Sequence, residues 1–157
     1  MARDTAEKAR VRDATDADLP RIVELLTQLS PDEPREDLGP PLPDVYRGAF
    51  DQIASDQNLR LLVVEVDDDI VGTAALVFVP NLSHQGKPYA IVENIVVDQI
   101  YRGVGYGGLL VRHAMDAARE AGCYKLSLTS NKARTDAHRF YERLGFRATH
   151  EGFRIEF

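Results

Sequence analysis

The segment RGVGYGG, residues 102–108, has the residue types and spacing best suited to bind an anion. Successive glycines allow several backbone N–H groups to point into one concavity, and the helix predicted to follow adds the positive end of its dipole. Arg102 adds a full positive charge. No lysine follows the last glycine, because Leu109 stands there, so transfer of a terminal phosphoryl group is not supported. We therefore expect the loop to hold a pyrophosphate that is not cleaved.

The same glycines, from Gly103 to Gly108, also satisfy the dinucleotide-binding pattern G-x-G-x-x-G. A dinucleotide site needs an acidic residue about 20 positions further on, where it binds the ribose hydroxyl. The strand predicted there ends in Leu-Thr-Ser-Asn, residues 128–131, and carries no carboxylate. Several predicted strands also precede the loop, whereas the dinucleotide motif normally follows the first strand of its fold. A nicotinamide or flavin site is therefore disfavoured.

A second candidate for chemistry is Glu93, which interrupts an otherwise apolar run from Tyr89 to Val97. An unpaired carboxylate in such a strand is costly to bury unless water or a partner reaches it. One interpretation is therefore a functional group that accepts a proton. The alternative is an exposed residue on an alternating strand.

Hydrophobic periodicity predicts both helices and strands around these residues. The expected helices run from Thr15 or Asp16 through Gln28, near Val45 to Ser55, from the glycine loop to Gly122, and from Ala133 to Leu144. The expected strands are LRLLVVEV and IVGTAALVFV joined by an acidic turn at residues 67–69, then Tyr89 to Val97, Tyr124 to Ser130, and two short pieces around Gly152. This order predicts a mixed sheet with helices on both faces.

The proline-rich segment SPDEPREDLGPPLPD, residues 30–44, should form an irregular arm between the first two helices. Segments of this length often cover a binding site, but a plain surface connection is an equal alternative.

Composition limits the class of protein. The chain has 157 residues, 44% of them hydrophobic and 28% charged, which suits one domain over residues 1–157. Residues 1–10 are expected to be a flexible extension. No apolar run approaches the roughly 20 residues needed to span a bilayer, so we expect a soluble, cytoplasmic protein without a membrane partner. The net charge of −6 disfavours a nucleic-acid partner. Neither Cys123 nor any recognisable ligand spacing predicts a metal site.

A family resemblance rests on four segments that occur in the same order and spacing. Arg102 to Gly107 matches the R/Q-x-x-G-x-G/A signature of the GNAT superfamily of N-acetyltransferases, and VENIVVD, GCYKLSLTSN and NKARTDAHRFYERLGF resemble their counterparts there. The resemblance covers roughly residues 11–157. TSNKARTDAHRFY is similar to aminoalkylphosphonate N-acetyltransferases, whereas ENIVVD and GCYKL are similar to glucosamine 6-phosphate N-acetyltransferases.

The resemblance implies an α/β fold of the GNAT type. Its central sheet is mostly antiparallel, twisted, of six to seven strands splayed in the middle, with about four helices on both faces. It implies acetyl-CoA as cosubstrate. The coenzyme-binding residues would be Ile95, Val96 and Val97 through pantetheine, Arg102, Gly103, Val104, Gly105, Tyr106 and Gly107 through pyrophosphate, and Asn131 and Arg134 nearer the thioester end.

The implied activity is transfer of an acetyl group directly to a primary amine of a small molecule in a ternary complex. Glu93 would take the proton of the amine through water, and Tyr141 would protonate the departing thiolate. Two alternatives stay open, an acyl-CoA sensor without turnover and an acetyltransferase acting on protein or peptide amines. A homodimer formed through the terminal strands is also plausible for such a protein.

Overall fold

The computed structural model describes residues 9–33 and 35–157. The predicted N-terminal extension, residues 1–10, falls mostly outside these ranges. Its last two residues, Ala9 and Arg10, belong to the first strand, and the other eight lie outside the described residues.

A mixed sheet of five strands lies at the centre of the described structure. The strands are β1 Ala9–Asp13, β2 Leu59–Val66, β3 Asp69–Val79, β4 Tyr89–Val97 and β5 Leu126–Ser127. They lie in chain order, the first four antiparallel and β5 parallel to β4. The turn between β2 and β3 consists of Asp67 and Asp68, with φ values of 50° and 70°. Positive φ at both central residues is typical of a tight hairpin turn, so the predicted acidic turn is confirmed.

The described helices are α1 Leu19–Leu26, α2 Asp44–Ser55, α3 Ser83–Gly86, which is a single turn with positive φ at His84 and Gln85, α4 Tyr106–Glu120 and α5 Thr135–Arg143. The first predicted helix is in fact three pieces, because 3-10 turns at Asp16–Asp18 and Thr27–Leu29 flank α1. Pro20 explains the late start, since a residue without an N–H is accommodated in the first turn of a helix. No helix in the described ranges is both long and apolar enough to cross a membrane.

Helices pack on both faces of the sheet. Leu62 and Val64 of β2 are buried in a cluster with Leu110 of α4. Val63, which points the opposite way, is buried with Ile22 of α1. This alternation confirms the expected layers.

The proline-rich arm is irregular, as predicted, and is tied to α2. The hydroxyl of Tyr46 accepts a hydrogen bond from the backbone N–H of Asp37 at 2.9 Å and donates one to Glu36 at 2.8 Å. Leu42 packs beside Tyr46 against the apolar cluster formed by α1 and α2. The arm is therefore attached to the helical layer.

The strand count differs from the expected six to seven. Tyr124 to Ser130 forms only the two-residue β5, and the pieces around Gly152 form no strand. β5 pairs with β4 at Ala90–Leu126 and Ile91–Ser127 alone. Because β5 is so short, it offers little aligned edge on which the C-terminal segment could continue the ladder. The apolar side chains of that segment are almost fully exposed: Phe153, Ile155 and Phe157.

Candidate functional site

The candidate site begins with a β-bulge in β4. Thr73 of β3 lies opposite Val96, and Ala75 lies opposite Glu93. One residue separates the two positions on β3, whereas two separate them on β4, so β4 carries an extra residue. Asn94 absorbs it with a φ of 53°, which is uncommon for a residue with a side chain.

The bulge reverses which side chains face α4. Before it, Ala90 and Val92 are buried in the α4 cluster. After it, Ile95 and Val97 pack against that cluster, whereas Val96 is buried with α1 on the other face. A strict alternation read from the sequence would have kept Val96 on the face of Val92.

Glu93 lies immediately before the bulge, and its side chain is exposed. The structure thus shows the exposed residue that was one of the two interpretations of Glu93, and solvent explains why a carboxylate is tolerated in this strand. A carboxylate in this position can exchange protons through water.

Beyond Ile91 the ladder between β4 and β5 ends. Residues 92–97 of β4 therefore have β3 on one side and no strand on the other in the described structure. Backbone groups along such an edge can pair with an extended ligand. Three residues past β5, the hydroxyl of Ser130 is buried and has no hydrogen-bond partner in the described part of the chain.

The glycine loop follows the end of β4. Gly103 and Gly105 have φ values of 85° and 100°, and a Cβ added to either would meet nothing within 4 Å. Gly105 is the N-cap of α4, so the N–H groups of the first helical turn have no acceptor within the helix. The loop thus combines open space with unpaired donors, as an anion site requires.

Arg102 is exposed beside this loop. Its Nε donates to the backbone oxygen of Val97 at 2.9 Å. This bond uses one of the five N–H groups of the guanidinium, and the others can bind an anion.

The segment between β4 and the loop is fixed by residues that the sequence analysis did not single out. Asp98 is buried, and its carboxylate accepts a hydrogen bond from Arg21 at 2.5 Å and from the N–H of Ile100 at 3.1 Å. The side-chain oxygen of Gln28 accepts from the N–H of Gln99 at 2.9 Å. The bond from Arg21 holds the pKa of Asp98 below its ordinary value of 3.8. In the sequence, the one sign of this role is the position of Asp98 at the end of an apolar run, where Asp is a common N-cap of the following helical turn.

Packing joins the loop to α5. A Cβ added to Gly107 would lie 3.4 Å from Cζ of Phe140 and 3.7 Å from Cγ2 of Val97. The structure therefore brings together the end of β4, the first turn of α4 and the residue next to Tyr141. Glu93 lies four residues before Val97, on the far side of the bulge.

Tyr141 is partly buried between aromatic rings. The ring centroids of Phe140 and Phe146 lie 5.1 Å and 5.9 Å from that of Tyr141, both edge-on. Burial raises the pKa of the Tyr141 phenol above its ordinary value of 10.0, and the charge of Arg134 acts in the opposite direction. The phenol is therefore protonated at neutral pH and can act as a proton donor.

Asn131 shapes the turn before α5. Its side-chain oxygen accepts from the N–H of Ala133 at 2.9 Å, and its backbone oxygen accepts from the N–H of Arg134 at 3.0 Å. Both Asn131 and Arg134 are exposed. Within residues 9–33 and 35–157, no group of three or more His, Cys, Asp or Glu could hold a metal ion.

Comparison with known proteins identifies the family. The acetyltransferase (GNAT) family model matches residues 22–146. Glucosamine 6-phosphate N-acetyltransferase of Trypanosoma brucei brucei is 38% identical over 87 residues, 55% of this chain and 57% of that protein. Aminoalkylphosphonate N-acetyltransferase of Salmonella typhimurium strain LT2 is 32% identical over 108 residues, 69% of this chain and 70% of that protein.

A solved structure is also similar over nearly the whole chain. It is described as a transcriptional regulator from Bacillus halodurans C-125, and it matches with a TM-score of 0.89 at 40% identity over 95% of this chain and 99% of that one. The chain spans little more than half the length of the trypanosomal relative, 57%. The family match extends from α1 to the end of α5, and the chain therefore belongs to the GNAT family of acetyltransferases.

Proposed function

We propose that this protein transfers the acetyl group of acetyl-CoA directly to a primary amine of a small molecule. The observation that carries the proposal is the unpaired edge of β4 over residues 92–97, which one 3-10 turn connects to the glycine loop at the start of α4. An extended arm ending in a pyrophosphate, as in coenzyme A, matches both features.

The coenzyme would lie along this path. The backbone of Ile95, Val96 and Val97 binds pantetheine, and the segment from Arg102 to Gly107, including Val104 and Tyr106, binds the pyrophosphate. The unsatisfied hydroxyl of Ser130 supports this placement, because a buried hydroxyl without a partner costs about 1–3 kcal/mol. Asn131 and Arg134 lie toward the thioester end.

Glu93 prepares the acceptor. A primary amine is mostly protonated at neutral pH and has no free lone pair in that form. Glu93 removes the proton through water, in accordance with its exposed position beside the bulge. The amine nitrogen then forms a bond to the acetyl carbon of the thioester.

Tyr141 completes the reaction. The carbon–sulfur bond breaks when the resulting tetrahedral intermediate collapses, and coenzyme A leaves as a thiolate. The partly buried phenol of Tyr141 donates its proton to that thiolate, and the phenol is restored through water by the proton that the nitrogen releases as it becomes an amide. No side-chain nucleophile takes part, so Cys123 has no role in the chemistry.

The acceptor is proposed to be an amine that also carries a phosphate or phosphonate group. The names of the trypanosomal and bacterial relatives share this chemistry, although one acts on a sugar and the other on an alkyl chain. The exposed cations Lys132 and Arg134 near the start of α5 could attract such a group.

The test is thiol release from acetyl-CoA across a panel of amino sugars, their phosphates, aminoalkylphosphonates, polyamines, amino acids and peptides. We expect release with phosphorylated or phosphonylated amines and little with their neutral counterparts. Release with peptides alone would replace the small-molecule acceptor by a protein amine.

A second candidate function is favoured by one observation, the similarity to a protein described as a transcriptional regulator. In that function, acyl-CoA binds at the same loop as a signal and no acetyl group is transferred. Binding of acetyl-CoA without thiol release for any acceptor in the panel would favour this candidate over the enzyme.

A homodimer is also proposed. The exposed side chains of Phe153, Ile155 and Phe157 alternate with charged residues, a pattern that suits burial against a second chain. Sedimentation equilibrium on the full chain tests this proposal, and a monomer at micromolar concentration would contradict it.

A further inference from the structure

We infer that Asp98, held in place by Arg21, is a positioning residue that sets the path of the chain from β4 into the glycine loop. The inference rests on the proposed function, because the loop is taken to bind the pyrophosphate of coenzyme A. Asp98 itself does not touch the coenzyme in this proposal.

The backbone N–H groups between β4 and the loop are all held by identified acceptors. The N–H of Asp98 donates to the backbone oxygen of Val71 at 2.8 Å, and the N–H of Tyr101 donates to the backbone oxygen of Asp98 at 2.8 Å. The N–H of Gln99 donates to the side chain of Gln28, and the N–H of Ile100 donates to the side chain of Asp98. The two side-chain acceptors, unlike the backbone oxygens, can therefore be removed by substitution.

Arg21 connects three separate elements at this point. Its Nε donates to the backbone oxygen of Ile70 at 3.0 Å, and one terminal nitrogen contacts Asp98 at 2.5 Å. The other terminal nitrogen pairs with Glu24 at 2.9 Å on α1. The guanidinium thus fixes the end of β4 to α1 and to the start of β3.

Asp98 lies only a few residues before the glycine loop, so a change in its contacts should alter the position of the loop. Asp98 caps the 3-10 turn Gln99–Tyr101, and Arg102 and Gly103 follow immediately. Donors that bind an anion must be fixed before binding, because ordering them on binding would reduce the affinity. A loss of the Asp98 contacts should therefore weaken coenzyme binding even though the binding groups remain.

The chain offers a closely matched control at Asp18. Its carboxylate is also buried, pairs with an arginine, Arg12, at 2.7 Å, and accepts from a backbone N–H, that of Thr15, at 2.7 Å. This second pair lies at the start of α1 and secures β1 rather than the loop. Asp18→Asn should destabilise the fold in the same way without affecting the coenzyme.

The experiment compares the wild type, Asp98→Asn and Asp18→Asn by calorimetric titration with coenzyme A and by amide hydrogen exchange of residues 99–105. We expect Asp98→Asn to raise the Kd of coenzyme A about tenfold and to speed exchange in this segment. Asp18→Asn should change neither by more than about twofold. Arg21→Gln should resemble Asp98→Asn, because it leaves the buried carboxylate without its charged partner.

The outcomes separate the two proposals. If the wild type fails to bind coenzyme A, the proposed function is wrong and the coenzyme role of Asp98 fails with it. If the wild type binds and Asp98→Asn, still folded by circular dichroism, binds equally well, only the positioning role is overturned. Equal weakening by Asp18→Asn would also overturn it, since the effect would then be general destabilisation.

Discussion

Tyr141 shows how packing sets the surroundings of a single side chain. Its ring lies between those of Phe140 and Phe146, and this burial raises the pKa of the phenol above 10.0 while Arg134 acts against the rise. A phenol in such surroundings keeps its proton at neutral pH, and the proton is available to a base that forms next to it.

We predict that Tyr141→Phe lowers turnover roughly 100-fold, because the departing thiolate loses its proton donor. The Kd of acetyl-CoA should change little, since the ring and its contacts remain. Thiol release at saturating substrates and calorimetric titration measure the two quantities. Tyr89→Phe, at the other end of β4, is the matched control, and equal rates for both variants would remove Tyr141 from the mechanism.

Glu93 gives a prediction about pH. Replacing it by Gln should lower the rate at neutral pH about tenfold or more, because the amine must then lose its proton to solvent. The rate should recover as the pH approaches the pKa of the acceptor, so that the pH–rate profile moves to higher pH. Glu120→Gln, an exposed change at the end of α4, serves as control. An unshifted profile for Glu93→Gln would contradict the proposed proton transfer.

At the scale of elements, two local departures from regular structure determine the site. The bulge at Asn94 changes which residues of β4 face α4, and the glycine loop, which follows the 3-10 turn after β4, begins α4. Each requires a backbone conformation with positive φ, which a residue with a side chain adopts at a cost.

Gly105→Ala tests the loop. At a φ of 100° an alanine is strained, and we expect a loss of about 1–2 kcal/mol in the free energy of unfolding together with weaker coenzyme A binding. Gly48→Ala is the control, because Gly48 lies exposed within α2 and an added Cβ meets nothing within 4 Å. That change should stabilise by up to about 1 kcal/mol. Urea unfolding and titration measure both variants, and a stable Gly105→Ala with normal binding would refute the strain argument.

At the scale of the whole molecule, buried carboxylates pair with arginines and connect separate elements of the fold. Glu65 of β2 accepts hydrogen bonds from Arg10 at 2.9 Å and Arg12 at 2.7 Å, and Arg12 continues to Asp18. The arginines hold the pKa of each carboxylate, including Asp98 with Arg21, below its ordinary value.

These shifts predict the stability of the protein in acid. Because the folded-state pKa values lie below the ordinary values of 3.8 for Asp and 4.5 for Glu, the stabilisation is complete above the ordinary values. It is lost as the pH falls through the lower folded-state values. At pH values below about 4, the urea concentration at the unfolding midpoint should therefore decrease. In Glu65→Gln this decrease with falling pH should be smaller. An identical pH dependence for Glu65→Gln and the wild type would contradict this account.

The amino-acid sequence alone determined the local features. The hairpin turn at Asp67–Asp68, the helix near Val45 to Ser55 and the loop between β4 and α4 follow from residue types and short-range spacing, and the structure confirms each. The GNAT family, predicted from the motif at Arg102 and its neighbouring segments, is confirmed by comparison. The catalytic and coenzyme-binding residues stay predictions.

Only the tertiary structure decided the features that depend on distant parts of the chain. The burial of Val96 against α1 depends on a register shift against β3, and the ion pair of Asp98 depends on Arg21, which lies 77 residues away in the sequence. The length of β5 depends on where β4 diverges from it. Periodicity reports which side of a residue's own element is apolar, but it contains no information about which element will pack there or where two strands will separate.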